Sequence, residues 1–228
     1  MLNKRLISPE FYQFVKDVAA NNNREWFKRH KERYEKNVFL PFKELTEQVI
    51  ELMQQLDPVI QIDYKQAAFR FHRDTRFSKD KSPYKLWMGA AVSREGRKNT
   101  RYPEIYFQFG PGENFIAGGL YRPDKDTLYN IREKIAKNPK EFEEILHDKR
   151  ILKQFPGGFK GERNKRLPVK QWQELAGKYP FLLNKQFYTI KYYTPEEILQ
   201  QDDLAAFIVR HYQAMQKFND WLLDLQQD

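Results

Sequence analysis

The strongest constraint on the fold is a change of hydrophobic period at Asp57-Pro58. Upstream, Phe42, Leu45, Val49, Leu52, Met53 and Leu56 recur at helical spacing, with Glu44, Glu47 and Glu51 on the opposite side. Downstream the period drops to two. Ile60, Ile62 and Tyr64 alternate, then Ala67, Phe69 and Phe71, and residues 86–92 form a short apolar run. Ile105, Phe107 and Phe109 face one way while Glu104, Tyr106 and Gln108 face the other. The turn GPGEN (110–114) then leads into FIAGGLY, which predicts a hairpin.

Helical spacing holds on both sides of this strand-rich stretch. Ser8-Pro9 is an N-cap and first helical residue for a helix ending near Asn21. Asn23 caps a second helix with Trp26, Phe27, His30, Tyr34 and Val38 along one side, and a third begins around Pro41. After residue 122, helices are expected over 124–137 and 139–146, around Trp172, and from Leu204 through Leu225. Between them lie a basic, Gly-rich loop FPGGFKGERNKRLP over 155–168, a further strand FYTIKYY, and the capping box Thr194–Glu197. The expected fold class is α+β, a mainly antiparallel sheet covered by N-terminal and C-terminal helices. The chain is expected to be one domain over 1–228: helical to 58, strand-rich over 59–122, then helical with one further strand. Strand order does not follow from the pattern.

With no Cys, the chain has no disulfide, thiolate nucleophile or Cys-ligated metal, which agrees with a reducing, cytoplasmic setting. MLNKRLISPE is charged without a signal-length apolar run, and no stretch is long enough for a membrane span. His30, His72, His147 and His211 are scattered without a ligand spacing, so no dedicated transition-metal site is expected. The net charge of +9 is unevenly spread. Residues 69–101 hold ten Lys/Arg against three Asp/Glu, and residues 149–170 hold eight against one. Two basic surfaces are expected, with an anionic small molecule or nucleic acid as partner.

The densest part of the first block is FRFHRDTRFSKDKSPYK, residues 69–85. Arginine forks and lysines gathered on a strand end and loop suit phosphate or carboxylate. Arg70, Arg73, Arg76, Lys81 and Tyr84 are therefore the candidate anion-binding residues. His72, Asp74 and Asp80 are candidates for acid–base assistance, which leaves hydrolysis open. Strand alternation sends Phe69, Phe71 and Arg73 to one face and Arg70, His72 and Asp74 to the other, so the arginines converge only if the strand breaks near His72. Asp74, Asp80, Glu104 and Asp124 could gather around Mg²⁺. Two other readings remain open: nucleic-acid binding with Tyr84, Trp87, Tyr102, Tyr106 and Tyr121 as stacking platforms, and a purely structural Arg–Asp network.

Read as R-x-x-R-D-x-R-F-x-x-D-K-x-x-Y, Arg70, Arg73, Asp74, Arg76, Phe77, Asp80, Lys81 and Tyr84 resemble the signature of the uncharacterised family Domain of Unknown Function 2461. NNNREWFKRHKERYE near the N-terminus is similar to that family's opening region. The resemblance implies that residues 70–84 act as a unit, and it carries over no activity, ligand or catalytic residue.

Overall fold

The computed structural model describes residues 6–226; the charged start Met1–Arg5 lies outside the described residues. The fold is α+β, with a four-stranded antiparallel sheet in the order β1 Met88–Val92, β2 Glu104–Phe109, β3 Asn114–Leu120 and β4 Phe187–Tyr193. The hairpin turn and the last strand fall where alternation predicts them. β4 comes from much later in the chain and closes onto β3, pairing Leu120 with Phe187 and Asn114 with Tyr193.

Before the sheet come α1 Pro9–Ala20, α2 Arg24–Arg29, α3 Lys31–Tyr34 and α4 Leu40–Leu56. The Ser8 hydroxyl and the Asn23 side chain cap α1 and α2 as expected. The second expected helix is divided at His30. A π turn, Glu35–Phe39, joins α3 to α4, and Pro41, which has no N–H to donate, falls just after it where the bond ladder changes register. The alternation at Ile60–Tyr64 is not a strand. Asp63 and Gln66 form a capping box around the short helix α5 Tyr64–Ala67, and this local bonding overrides the period-two pattern.

After the hairpin come α6 Lys125–Lys137, α7 Pro139–Leu146, α8 Lys149–Gln154 and α9 Lys170–Ala176. Helix α8, capped by Asp148, lies just before the expected basic loop and buries its own Ile151. The capping box at Thr194 starts α10 Pro195–Leu199. The long last helix is two, α11 Leu204–Ala214 and α12 Gln216–Leu223. They break at Met215, whose sulfur accepts the Thr189 hydroxyl hydrogen bond at 2.9 Å.

The helices all pack on one side of the sheet. Met88, Ala90, Val92, Ile105, Phe107 and Ile116 join one buried cluster with α1, α4 and α11. Leu120 and Phe187 join a second with α6, α7, α8 and α12. Burial of these side chains, at about 25 cal/mol per Å² of apolar surface, is the main force holding the helices to the sheet. Among the described residues no helix is long and apolar enough to cross a membrane.

Candidate functional site

The segment 69–85 is an irregular ribbon against the free edge of β1. Ala68 bridges Ala90 and His72 bridges Tyr84, so four steps on one arm are matched by six on the other. This mismatch breaks strand alternation. Phe69 packs beside Trp87 and Tyr106, with centroids 6.4 and 5.9 Å away, on the side of the sheet that carries no helix. Phe71 points the other way into the core, 5.1 Å from Tyr34 and 5.8 Å from Tyr84. The two phenylalanines do not share a face, so the strand breaks between them, close to His72.

The break does not bring the arginines onto one anion. Arg73 pairs with Asp80, and Arg76 donates to Asp74 at 2.7 and 3.0 Å. The Arg76 bonds hold the Asp74 carboxyl at about 2, and hydrogen bonds from Ser82 and then Arg73 push Asp80 below the usual carboxylate range. Lys81 donates to the Thr75 carbonyl at 3.0 Å. Arg70 is exposed and, among the described residues, has no carboxylate partner. Tyr84 lies in the core, its ring stacked 4.0 Å from Phe27 and its backbone N–H and C=O held by the Asn22 amide. His72 touches Phe27 and Tyr84 edge-on, and Asp74 is committed to Arg76. Among the described residues no three of His, Cys, Asp and Glu stand close enough to hold a metal ion, so Asp74, Asp80, Glu104 and Asp124 do not gather around Mg²⁺.

The concave site is on the open face of the sheet, where a cleft of about 430 Å³ is lined by side chains from all four strands. Strand register builds it in three rows. In the first, Glu104 lies across from Gly119, and Gly119 from Tyr188. In the second, Ala91, Tyr106, Ala117 and Ile190 are successive partners. In the third, Gly89, Gln108, Phe115 and Tyr192 are. Small residues at 89, 91, 117 and 119 keep the floor low, and the rings stand around it. Tyr106 stacks on Phe115 at 5.4 Å, Phe115 meets Tyr192 at 5.5 Å, and Tyr121 meets Tyr188 edge-on at 5.1 Å. Tyr192 and Tyr121 are 59% and 44% exposed, so these rings border solvent rather than core.

One end of the cleft is polar. Glu104 accepts from the Asn99 amide at 3.4 Å and from the Tyr121 backbone, with Arg122 nearby and Arg97 also lining the cleft. Burial outweighs these contacts and pushes its carboxyl up from 4.5 to about 7. Such a group carries and gives up a proton near neutrality. At the other end the Tyr106 hydroxyl donates to Gln108 at 2.8 Å, and Gln108 donates to Glu113 at 3.3 Å. The Lys85 ammonium stands 4.3 Å over the Trp87 ring, and its pKa is lowered by burial.

Of the sequence candidates, only the stacking platforms Trp87, Tyr106 and Tyr121 line this cleft, together with Glu104, which had been grouped with the Mg²⁺ candidates. Phe69, Phe115, Tyr188 and Tyr192 were missed. Their signal was available: strands β2 and β4 carry rings on both faces, whereas a sheet with one solvated face alternates apolar with polar.

No curated protein matches the sequence. The family model described as "Conserved hypothetical protein (DUF2461)" matches residues 10–221, and the chain belongs to that family.

Proposed function

We propose that the protein binds a small organic ligand on the open face of its sheet, with the flat part against Tyr106, Phe115 and Tyr192 and a polar end at Glu104. One observation carries this reading: a carboxyl pushed to about 7 lies at the end of an aromatic-walled cleft of about 430 Å³. Ligand sites are concave, mostly apolar, and furnished with a few convergent polar groups of perturbed pKa. Arg97 and Arg122 support an anionic group on that ligand, phosphate or carboxylate. If the reaction extends to hydrolysis, Glu104 is the group placed to move the proton. A cytoplasmic location belongs to the same reading and is supported by the cysteine-free composition.

A second reading keeps the anion at the 70–81 loop. Its support is Arg70, exposed and, among the described residues, without a carboxylate partner. Thermal-shift screening against phosphorylated and carboxylated metabolites separates the two. Stabilisation that is lost in Arg122→Ala and kept in Arg70→Ala supports the cleft, and the reverse pattern moves the site to the loop. Stabilisation by no compound removes both. Binding of oligonucleotides alone, falling steeply with salt, would instead favour a nucleic-acid surface built from the two basic blocks.

A further inference from the structure

The ligand class follows from how the cleft divides its polar and apolar parts, and it rests on the binding reading above. Tyr106 and Phe115 stack on each other and Tyr192 is tilted 54° from Phe115, so the shelf offers a flat π-system the exposed face of Tyr192 and ring edges from the other two. Two of the polar groups along that shelf are already committed, the Tyr106 hydroxyl to Gln108 and the Gln108 amide to Glu113. A sugar ring, which needs partners around its whole edge, finds few there.

Recognition is concentrated at Glu104. A carboxyl group has two oxygens and about four acceptor sites, and it adds a donor when protonated. The Asn99 amide reaches only Oε2, at the long distance of 3.4 Å, and the Tyr121 backbone takes one further site, which leaves part of that capacity open. Across the row from Glu104, Gly119 has a φ of 122°, and a Cβ there would collide with the Phe187 carbonyl oxygen. No side chain can stand between Glu104 and Tyr188. A cationic ligand is disfavoured because two guanidiniums, Arg97 and Arg122, line the same cleft. What remains is an uncharged or anionic flat molecule whose edge carries a donor beside an acceptor, which a protonated carboxyl pairs with in bidentate fashion, or two adjacent donors, which the carboxylate accepts.

We propose that the ligand is a nitrogen heteroaromatic of the nucleobase or pterin kind, stacked on the Tyr106–Phe115–Tyr192 shelf and read along one edge by Glu104. Glu104 is then the specificity-determining residue, and the rings supply affinity that does not depend on that edge.

Calorimetric titration with adenosine, guanosine and cytidine, against indole and phenyl phosphate as flat controls without a paired edge, tests it. At least one nucleoside should bind roughly ten-fold or more tightly than indole, the discrimination a bidentate pair provides. Glu104→Ala should erase that margin while leaving indole unchanged, and Glu104→Gln, which keeps a donor and an acceptor, should retain it for at least one nucleoside. Tyr192→Ala, at an exposed ring, should weaken all flat probes together. Nucleosides binding no better than indole, or a margin that survives Glu104→Ala, overturns the heteroaromatic assignment while the cleft remains a binding site. If neither nucleosides nor controls bind, the binding reading falls and this assignment falls with it.

Discussion

Glu104 and Gly119 are partners across β2 and β3, and each explains the other's environment. Gly119, at φ 122°, runs so close to β4 that any side chain would meet the Phe187 carbonyl and the Tyr188 Cα. The carboxyl of Glu104 therefore stands beside bare backbone in a ring of tyrosines. Gly119→Ala should cost about 2–4 kcal/mol, combining backbone strain with a collision that no flexible side chain can relieve. Urea denaturation reads it as a lower midpoint.

Glu104 also makes stability depend on pH. Its folded pKa, about 7, lies above the ordinary 4.5, so from pH 4.5 to 7 the unfolded chain releases a proton that the folded protein keeps. Stability falls with rising pH across that window. Arg97, Arg122, Glu113, Tyr106, Tyr121 and Tyr188 share the cleft, and the hydrogen bonds from Asn99 and the Tyr121 backbone, with the Arg122 charge, limit the rise. Glu104→Gln should be near neutral at pH 4.5 and stabilising above pH 7, by at most on the order of 3 kcal/mol. Paired denaturation curves at the two pH values measure the difference.

His211 acts in the opposite direction. It is fully buried, and burial lowers its pKa from 6.5 to about 4. Its Nδ1–H donates to the Phe207 carbonyl at 2.8 Å, so Nε2 accepts the Tyr193 hydroxyl at 2.5 Å. The unfolded chain takes up a proton that the folded state refuses, so stability present above pH 6.5 is lost as the pH falls toward 4. Tyr193→Phe leaves Nε2 without its donor and should cost about 1–3 kcal/mol at pH 7. Thermal melts of the variant and wild type across pH 4 to 7 test both points.

Phe69 and Phe71 should respond differently to truncation. Phe71 is buried among Tyr34, Tyr84 and Phe27, and Phe71→Ala should cost about 3–5 kcal/mol. Phe69→Ala, on the cleft side, should cost far less while weakening ligand binding. The fully exposed Arg76–Asp74 pair should leave the denaturation midpoint unmoved in Asp74→Ala.

Local signals in the sequence determined most of the elements. Ser8, Asn23 and Thr194 cap helices where their side chains predict it, because a cap needs only a few neighbouring residues. Alternation over 104–109 and 187–193 likewise specified strands with ring-bearing outer faces. Tertiary structure decided what those faces meet. Phe69 and Phe71 face opposite sides because the ribbon between the Ala68 and His72 bridges is not a regular strand, and where those bridges form depends on distant partners, Ala90 and Tyr84. β4, some seventy residues after β3 in sequence, brings Tyr188 and Tyr192 opposite Gly119 and Phe115. The charged stretch 69–85 stood out because charge is legible in composition. The cleft did not, because a site made by register across four strands exists only once the strands are paired.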